Sequence, residues 1–159
     1  MIIDACVLID LIKADRSALG LIVKHIGPLY VITSVVAEVE QISEADLMDL
    51  GLTILEPEIE DAREAGKRSG ALSFEDRLCL LTARRHGLTC VTNDKSLRRA
   101  CESEDIPLLW GLEPIIDLHK ADALSFEAAE AIARAIHESN PKHITQDILA
   151  RFMKALRSS

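Results

Sequence analysis

The chain has 159 residues, enough for one domain with a substantial core, and its formal net charge of −8 leaves no basic footprint of the kind that coats nucleic acid. Aromatic residues make up 3% of it, too few for a base-stacking platform. Cys6, Cys79, Cys90 and Cys101 form no CxxC pair, and the histidines lack ligand spacing, so a zinc site is not expected. The thiols read as reduced, mostly buried residues of a cytoplasmic protein. The opening MIIDACVLID carries acids and no basic stretch, unlike a secretory signal, and no apolar run reaches membrane-spanning length.

Ile2-Ile3-Asp4-Ala5 is a short apolar start that ends in an acid. The spacing of Val7, Leu8, Leu11 and Ile12 predicts a helix over Cys6 to Lys13, and a second runs from Arg16 to Ile26 before Gly27-Pro28. Leu29 to Thr33 is β-prone. Ser34 is placed to cap a helix from Val35 to about Ile42, and a short helix covers Ser43 to Leu50. Leu52 to Leu55 reads as a third strand, and Glu58 to Ser69 as a charged helix. Ser73, three residues before Asp76, has the spacing of an N-cap with an acidic partner, and Gly87 stops the helix that follows. Leu88 to Thr92 is a fourth strand, Leu97 to Glu104 a helix, and Ile106 to Trp110 a fifth strand. After Trp110 the pattern changes: Ser125 to Glu138 is alanine-rich and helical, and Ile144, Ile148, Leu149, Phe152, Met153 and Leu156 form a one-sided stripe.

Apolar strands alternating with helices argue for a parallel sheet covered on both faces: a three-layer α/β/α sandwich of about five strands in residues 1–110. Residues 111–159 would be a helical extension, its two helices packed on that domain or on a partner.

Ligands of an open parallel sheet bind beyond the carboxyl ends of its strands. Asp4 ends the first strand, and Asp94 follows the fourth. Glu38 falls in the first turn or so of the helix after the second. Asp76 begins a helix that runs back into the fourth strand, so it returns to the same edge. Each acid has an ordinary alternative. Asp76 can serve only as a capping partner and Asp94 as an N-cap, while Glu38 can be a solvated residue with Glu40 as its rival. Asp4, inside an apolar stretch, is costly to bury unless paired or metal-bound. Together the four point to a hard divalent cation, Mg²⁺ or Mn²⁺, activating water for phosphodiester hydrolysis. No GxGxxG or GxxxxGK[ST] is present, Cys6 stands where an aspartyl phosphohydrolase needs a second Asp, and Leu55-Glu56-Pro57 supplies no receiver-domain Asp.

These residues resemble the PIN-domain ribonucleases, particularly the VapC-like toxins of toxin–antitoxin pairs. IIDACVLIDL is similar to the family's opening strand with Asp4, ITSVVAEVEQI to its second motif with Glu38, LSFEDRLCLLTA to its third with Asp76, and LTCVTNDKSL to its fourth with Thr92 and Asp94. The resemblance implies an endoribonuclease dependent on Mg²⁺ or Mn²⁺, with these four acids as site and metal ligands. It also implies a homodimer and an antitoxin protein as partner. Lys67, Arg68, Arg77 and Lys95, with Arg98 and Arg99 nearby, are candidates for holding substrate phosphates. Cys6 stands where many relatives carry Asn or Ser, and Ser96 where many carry an acid. These two positions favour the alternative of a catalytically weak PIN-like interaction module.

Overall fold

The computed structural model describes residues 1–67 and 70–159. Ile2–Ile3 form β1, followed by α1 (Ala5–Asp15) and α2 (Ser17–His25). Then come β2 (Tyr30–Ile32), α3 (Thr33–Glu38), α4 (Glu44–Asp49) and β3 (Thr53–Leu55). The second half of the sheet is built from α5 (Ile59–Gly66), α6 (Phe74–His86), β4 (Cys90–Val91), α7 (Lys95–Ser103) and β5 (Leu108–Leu109). Three further helices close the chain: α8 (Glu113–Lys120), α9 (Phe126–Ser139) and α10 (Gln146–Arg157).

Local chemistry explains many of the boundaries. Asp4, Ser43, Ser73, Asp94, Ser125 and Thr145 each accept a backbone N–H in the first turn of the helix they precede. Those bonds satisfy donors that a helix start otherwise leaves open. Gly87 ends α6 with φ 62°, a left-handed conformation that suits glycine.

The five strands are all parallel, in the order β3-β2-β1-β4-β5. The chain therefore builds outward from β1 in one direction, then crosses to β4 and builds in the other. The switch point lies between β1 and β4, where ligands of such sheets bind. Helix α6 contacts α5, α7, β1 and β4, whereas α1 packs with α2, α3 and α9. With right-handed crossovers on both sides of the switch, the helices fall into two layers around the sheet. The expected α/β/α architecture is the one observed.

Both residues of β1, together with Leu8, Leu11, Leu19, Ile22, Ile32, Leu47 and Leu97, are almost completely buried. Each such side chain contributes about 1.5–3 kcal/mol by leaving water. Ile115, Leu118, Ile136, Ile144, Phe152 and Leu156 belong to the same continuous core. Helix α9 lies on α1, α8 on α2, and α10 on α8 and α9. Residues 111–159 thus pack against the sheet-bearing part of their own chain.

Two local expectations are corrected. Ser34 does not cap a helix: α3 begins at Thr33, directly out of β2, and the Ser34 hydroxyl is buried without a partner. Inside the first turn it has passed the position from which a cap reaches forward. Helix α3 also stops at Glu38, so that residue sits at its last position instead of its first turn. Helix α8 occupies a stretch to which the sequence pattern assigned nothing; eight residues carry too little periodicity to stand out.

Candidate active site

Register brings the first pair of residues together. Ile3 of β1 pairs with Val91 of β4, so the next residues, Asp4 and Thr92, emerge side by side from the carboxyl ends of adjacent strands. The Thr92 hydroxyl donates to one carboxylate oxygen of Asp4, and the other oxygen accepts the Val7 amide at 2.8 Å. Thr92 Oγ1 also accepts the Asp94 amide at 3.0 Å. Asp94 Oδ1 in turn accepts the Leu97 amide at 2.8 Å, as the cap of α7. One hydroxyl therefore fixes the acid after β1 and the loop that carries the acid after β4.

Asp4 is 3% exposed. Burial pushes its pKa up to about 7; the Thr92 hydroxyl and Val7 amide pull down, and the charges of Asp76 and Asp94 add upward pressure. Asp76 lies at the third position of α6, its amide donating to Ser73 Oγ at 3.0 Å. Burial raises its pKa; Ser73 draws it back, while Asp94 and Glu75 push it further up. Glu38 is exposed, yet its pKa is also raised, first by partial desolvation and then by Glu75 and Asp76. The four acids singled out in the sequence thus form one electrostatic cluster, linked from Asp94 through Asp4 and Asp76 to Glu38.

Glu75 belongs to this cluster and was not anticipated. Its signal was its place beside Asp76 in the first turn of α6. Asp10 is a second unanticipated acid, 4% exposed on α1, with both carboxylate oxygens accepting from Asn140 Nδ2 at 3.1 Å. Burial raises its pKa, and hydrogen bonds from Asn140 and Asn93 oppose that. An acid within Leu8-Ile9-Asp10-Leu11-Ile12 was the available clue. Cys6, between these groups, is held as a neutral thiol. Burial and the charges of Asp4 and Asp10 push it up to about 12, so it is no nucleophile at neutral pH.

Among the described residues, no ion pair involves Asp4, Glu38, Asp76 or Asp94. Nor do three or more acidic, His or Cys side chains gather tightly enough to make a finished metal cage. The donor set is nevertheless suited to a hard cation: carboxylate oxygens that repel one another and, among the described residues, form no ion pair. Mg²⁺ in particular is held by one or two carboxylates and keeps several waters, so a finished cage is not required.

The basic candidates divide. Arg77 donates to the carbonyls of Ala65, Lys67 and Leu72 at 2.8–3.1 Å and clips the loop between α5 and α6. Its guanidinium is therefore engaged with backbone. Lys67 is exposed at the C-cap of α5, and Lys95 is exposed at the first position of α7, next to Asp94. Arg68 lies outside the described residues.

A family model described as PIN domain matches residues 1–103 of the chain. Comparison with curated proteins and with solved structures gave no match.

Proposed function

The chain belongs to the PIN-domain family, and on that premise we propose that it is an endoribonuclease that hydrolyses RNA phosphodiester bonds with metal-activated water. Proteins of this family are nucleases, a kind of hydrolase, and generally use divalent metal ions. The observation that carries the finer reading is the buried Asp4 carboxylate, held by Thr92 beside Asp94 at the switch point of the sheet.

Asp4, Glu38, Asp76 and Asp94 are the proposed site, and they would hold Mg²⁺ or Mn²⁺. When bound, such an ion supplies an activated water and stabilises the leaving oxygen. Asp4 and Asp94 would be the principal ligands: each has one oxygen committed to a helix-capping bond, and the Thr92 hydroxyl fixes the direction of the second Asp4 oxygen. Asp76 completes the cluster from the α6 start, and Glu38 with Glu75 extends it outward. Thr92 orients Asp4. Burial keeps the Cys6 thiol protonated, and with activated water as the attacking group the reaction requires no nucleophile from the chain.

The motif resemblance to VapC-like toxins supports a toxin role, with an antitoxin protein as partner and a homodimer as the working form. Free cysteines throughout agree with a cytoplasmic setting. Among the described residues no helix is long and apolar enough to cross a membrane. Incubating purified protein with RNA, with and without Mg²⁺ or Mn²⁺ and alongside Asp4→Asn, tests the reading. Equal cutting by parent and variant rejects the assignment of Asp4.

A further inference from the structure

Beside the acidic cluster lies a cavity of about 370 Å³ with the opposite charge. One wall is α7, with Lys95, Arg98 and Arg99; the other is the turn leading into α10, with Lys142 and His143; Trp110 lies between them. Glu102 is the one acid of the lining, against four Lys and Arg side chains, on a chain whose net charge is −8. Asn93 and Lys95, the residues on either side of Asp94, both line it. The cavity therefore opens next to the proposed site, and the wall with Lys142 and His143 lies beyond the residues that the family model matches.

What the cations bind distinguishes this groove from the rest of the surface. Arg84 pairs with Glu64 and Glu104, Arg85 with Asp61, and Arg134 with Glu130. Arg77 is committed to backbone carbonyls. Among the described residues, none of the five ion pairs uses Lys95, Arg98, Arg99 or Lys142. The Arg98 guanidinium lies 3.3 Å from the Trp110 ring centroid, with Nε buried and without an acceptor. Stacking holds the fork flat and leaves its terminal nitrogens for a bidentate acceptor such as phosphate.

The two walls are also locked together. Gly111 N donates to Asn93 Oδ1 at 2.9 Å, and the buried Asp10 is hydrogen-bonded by both Asn93 and Asn140. The turn carrying Asp94 and the junction between α9 and α10 are therefore fixed through one carboxylate. A groove whose cations are unpaired and whose walls are preset loses little freedom on binding.

We propose that this groove binds the phosphodiester backbone of single-stranded RNA beside the bond to be cut, so that residues 111–159 supply one wall of the substrate cleft. This rests on the ribonuclease reading above, and the two fail separately. Affinity comes from phosphate contacts, is strongly salt-dependent, and reads no sequence. Arg99 and Lys142 are exposed and, among the described residues, form no ion pair, so their removal leaves the fold intact.

The probe is a short fluorescently labelled, unstructured oligoribonucleotide, titrated in EDTA with the full chain and followed by anisotropy over a range of salt. The doubly substituted Arg99→Ala/Lys142→Ala protein is expected to bind about tenfold more weakly, with a salt slope reduced by about 1.4, two single-strand phosphate contacts at about 0.7 each. The control Lys24→Ala, on α2, should bind like the parent. Unchanged affinity and slope in the double variant overturn the proposal, even if the parent cuts RNA. Groove-dependent binding without cleavage supports it and counts against the ribonuclease reading instead. Binding of a poly-glutamate peptide but not of the oligoribonucleotide overturns it in favour of an acidic protein partner.

Discussion

Thr92 donates its hydroxyl to Asp4 across a sequence separation of 88 residues, and the same oxygen accepts the amide of Asp94. The strand register dictates this meeting, since Ile3 pairs with Val91 immediately before it. Thr92→Val keeps the shape and removes both bonds. Leaving the Asp4 oxygen and the Asp94 amide without this partner should cost about 1–3 kcal/mol. Urea unfolding should show the loss, and Thr92→Ser should recover most of it.

Asp4 makes stability fall with pH. Its carboxyl is raised to about 7 from an ordinary value of 3.8, so the folded chain holds this proton where the unfolded chain has released it. The contribution is complete below the unfolded value and lost as pH climbs from about 4 through about 7, amounting to at most about 4 kcal/mol. Without divalent ions, Asp4→Asn should therefore flatten that slope and be more stable than the parent at pH 8. Denaturant unfolding across this range provides the check.

A cation that binds the folded cluster stabilises it by mass action, about 2.7 kcal/mol when its concentration is a hundred times Kd. Added Mn²⁺ or Mg²⁺ should raise the melting temperature of the parent at pH 8, where Asp4 is ionised. The shift should vanish in Asp4→Asn/Asp94→Asn. An equal shift in both proteins would place the ion elsewhere.

Gly111 is required by a close approach. A Cβ there would meet Asn93 Nδ2 at 2.6 Å and Val7 Cγ2 at 2.7 Å, both inside contact distance. Gly111→Ala should cost about 1–3 kcal/mol through the overpacking it forces. It also displaces Asn93, which neighbours Asp94, so activity should fall at temperatures where the variant remains folded.

The sheet was legible because each of its strands is an apolar run bounded by turn signals, and the helices between them carry clear stripes. The places of Asp4, Asp76 and Asp94 were legible for a related reason: Asp4 and Asp94 cap helices just past strand ends, and Asp76 opens the helix that returns to β4, so coarse element order places them. Glu38 was located in the wrong part of its helix, because Ser34 resembles a cap in sequence while the chain had already turned helical at Thr33. Asp10, Asn93 and Asn140 were not legible as a unit. The bond between Asp10 and Asn140 joins residues 130 positions apart, and nothing local in the sequence records it. The groove was half legible: Lys95, Arg98 and Arg99 lie beside a motif, whereas Lys142 and His143 reach it only through the packing of α9 on α1.

The most direct measurement is RNA cleavage by the parent and by Asp4→Asn at pH 8, each with Mg²⁺ or Mn²⁺ and with EDTA. The parent should cut in either metal and not in EDTA, and Asp4→Asn should stay at the EDTA level throughout. Without divalent ions the variant is expected to be at least as stable as the parent at this pH, and a melting curve in each assay buffer separates unfolding from loss of cutting. Cutting by Asp4→Asn at the parental rate, or by the parent in EDTA, would contradict a metal-dependent ribonuclease built on Asp4.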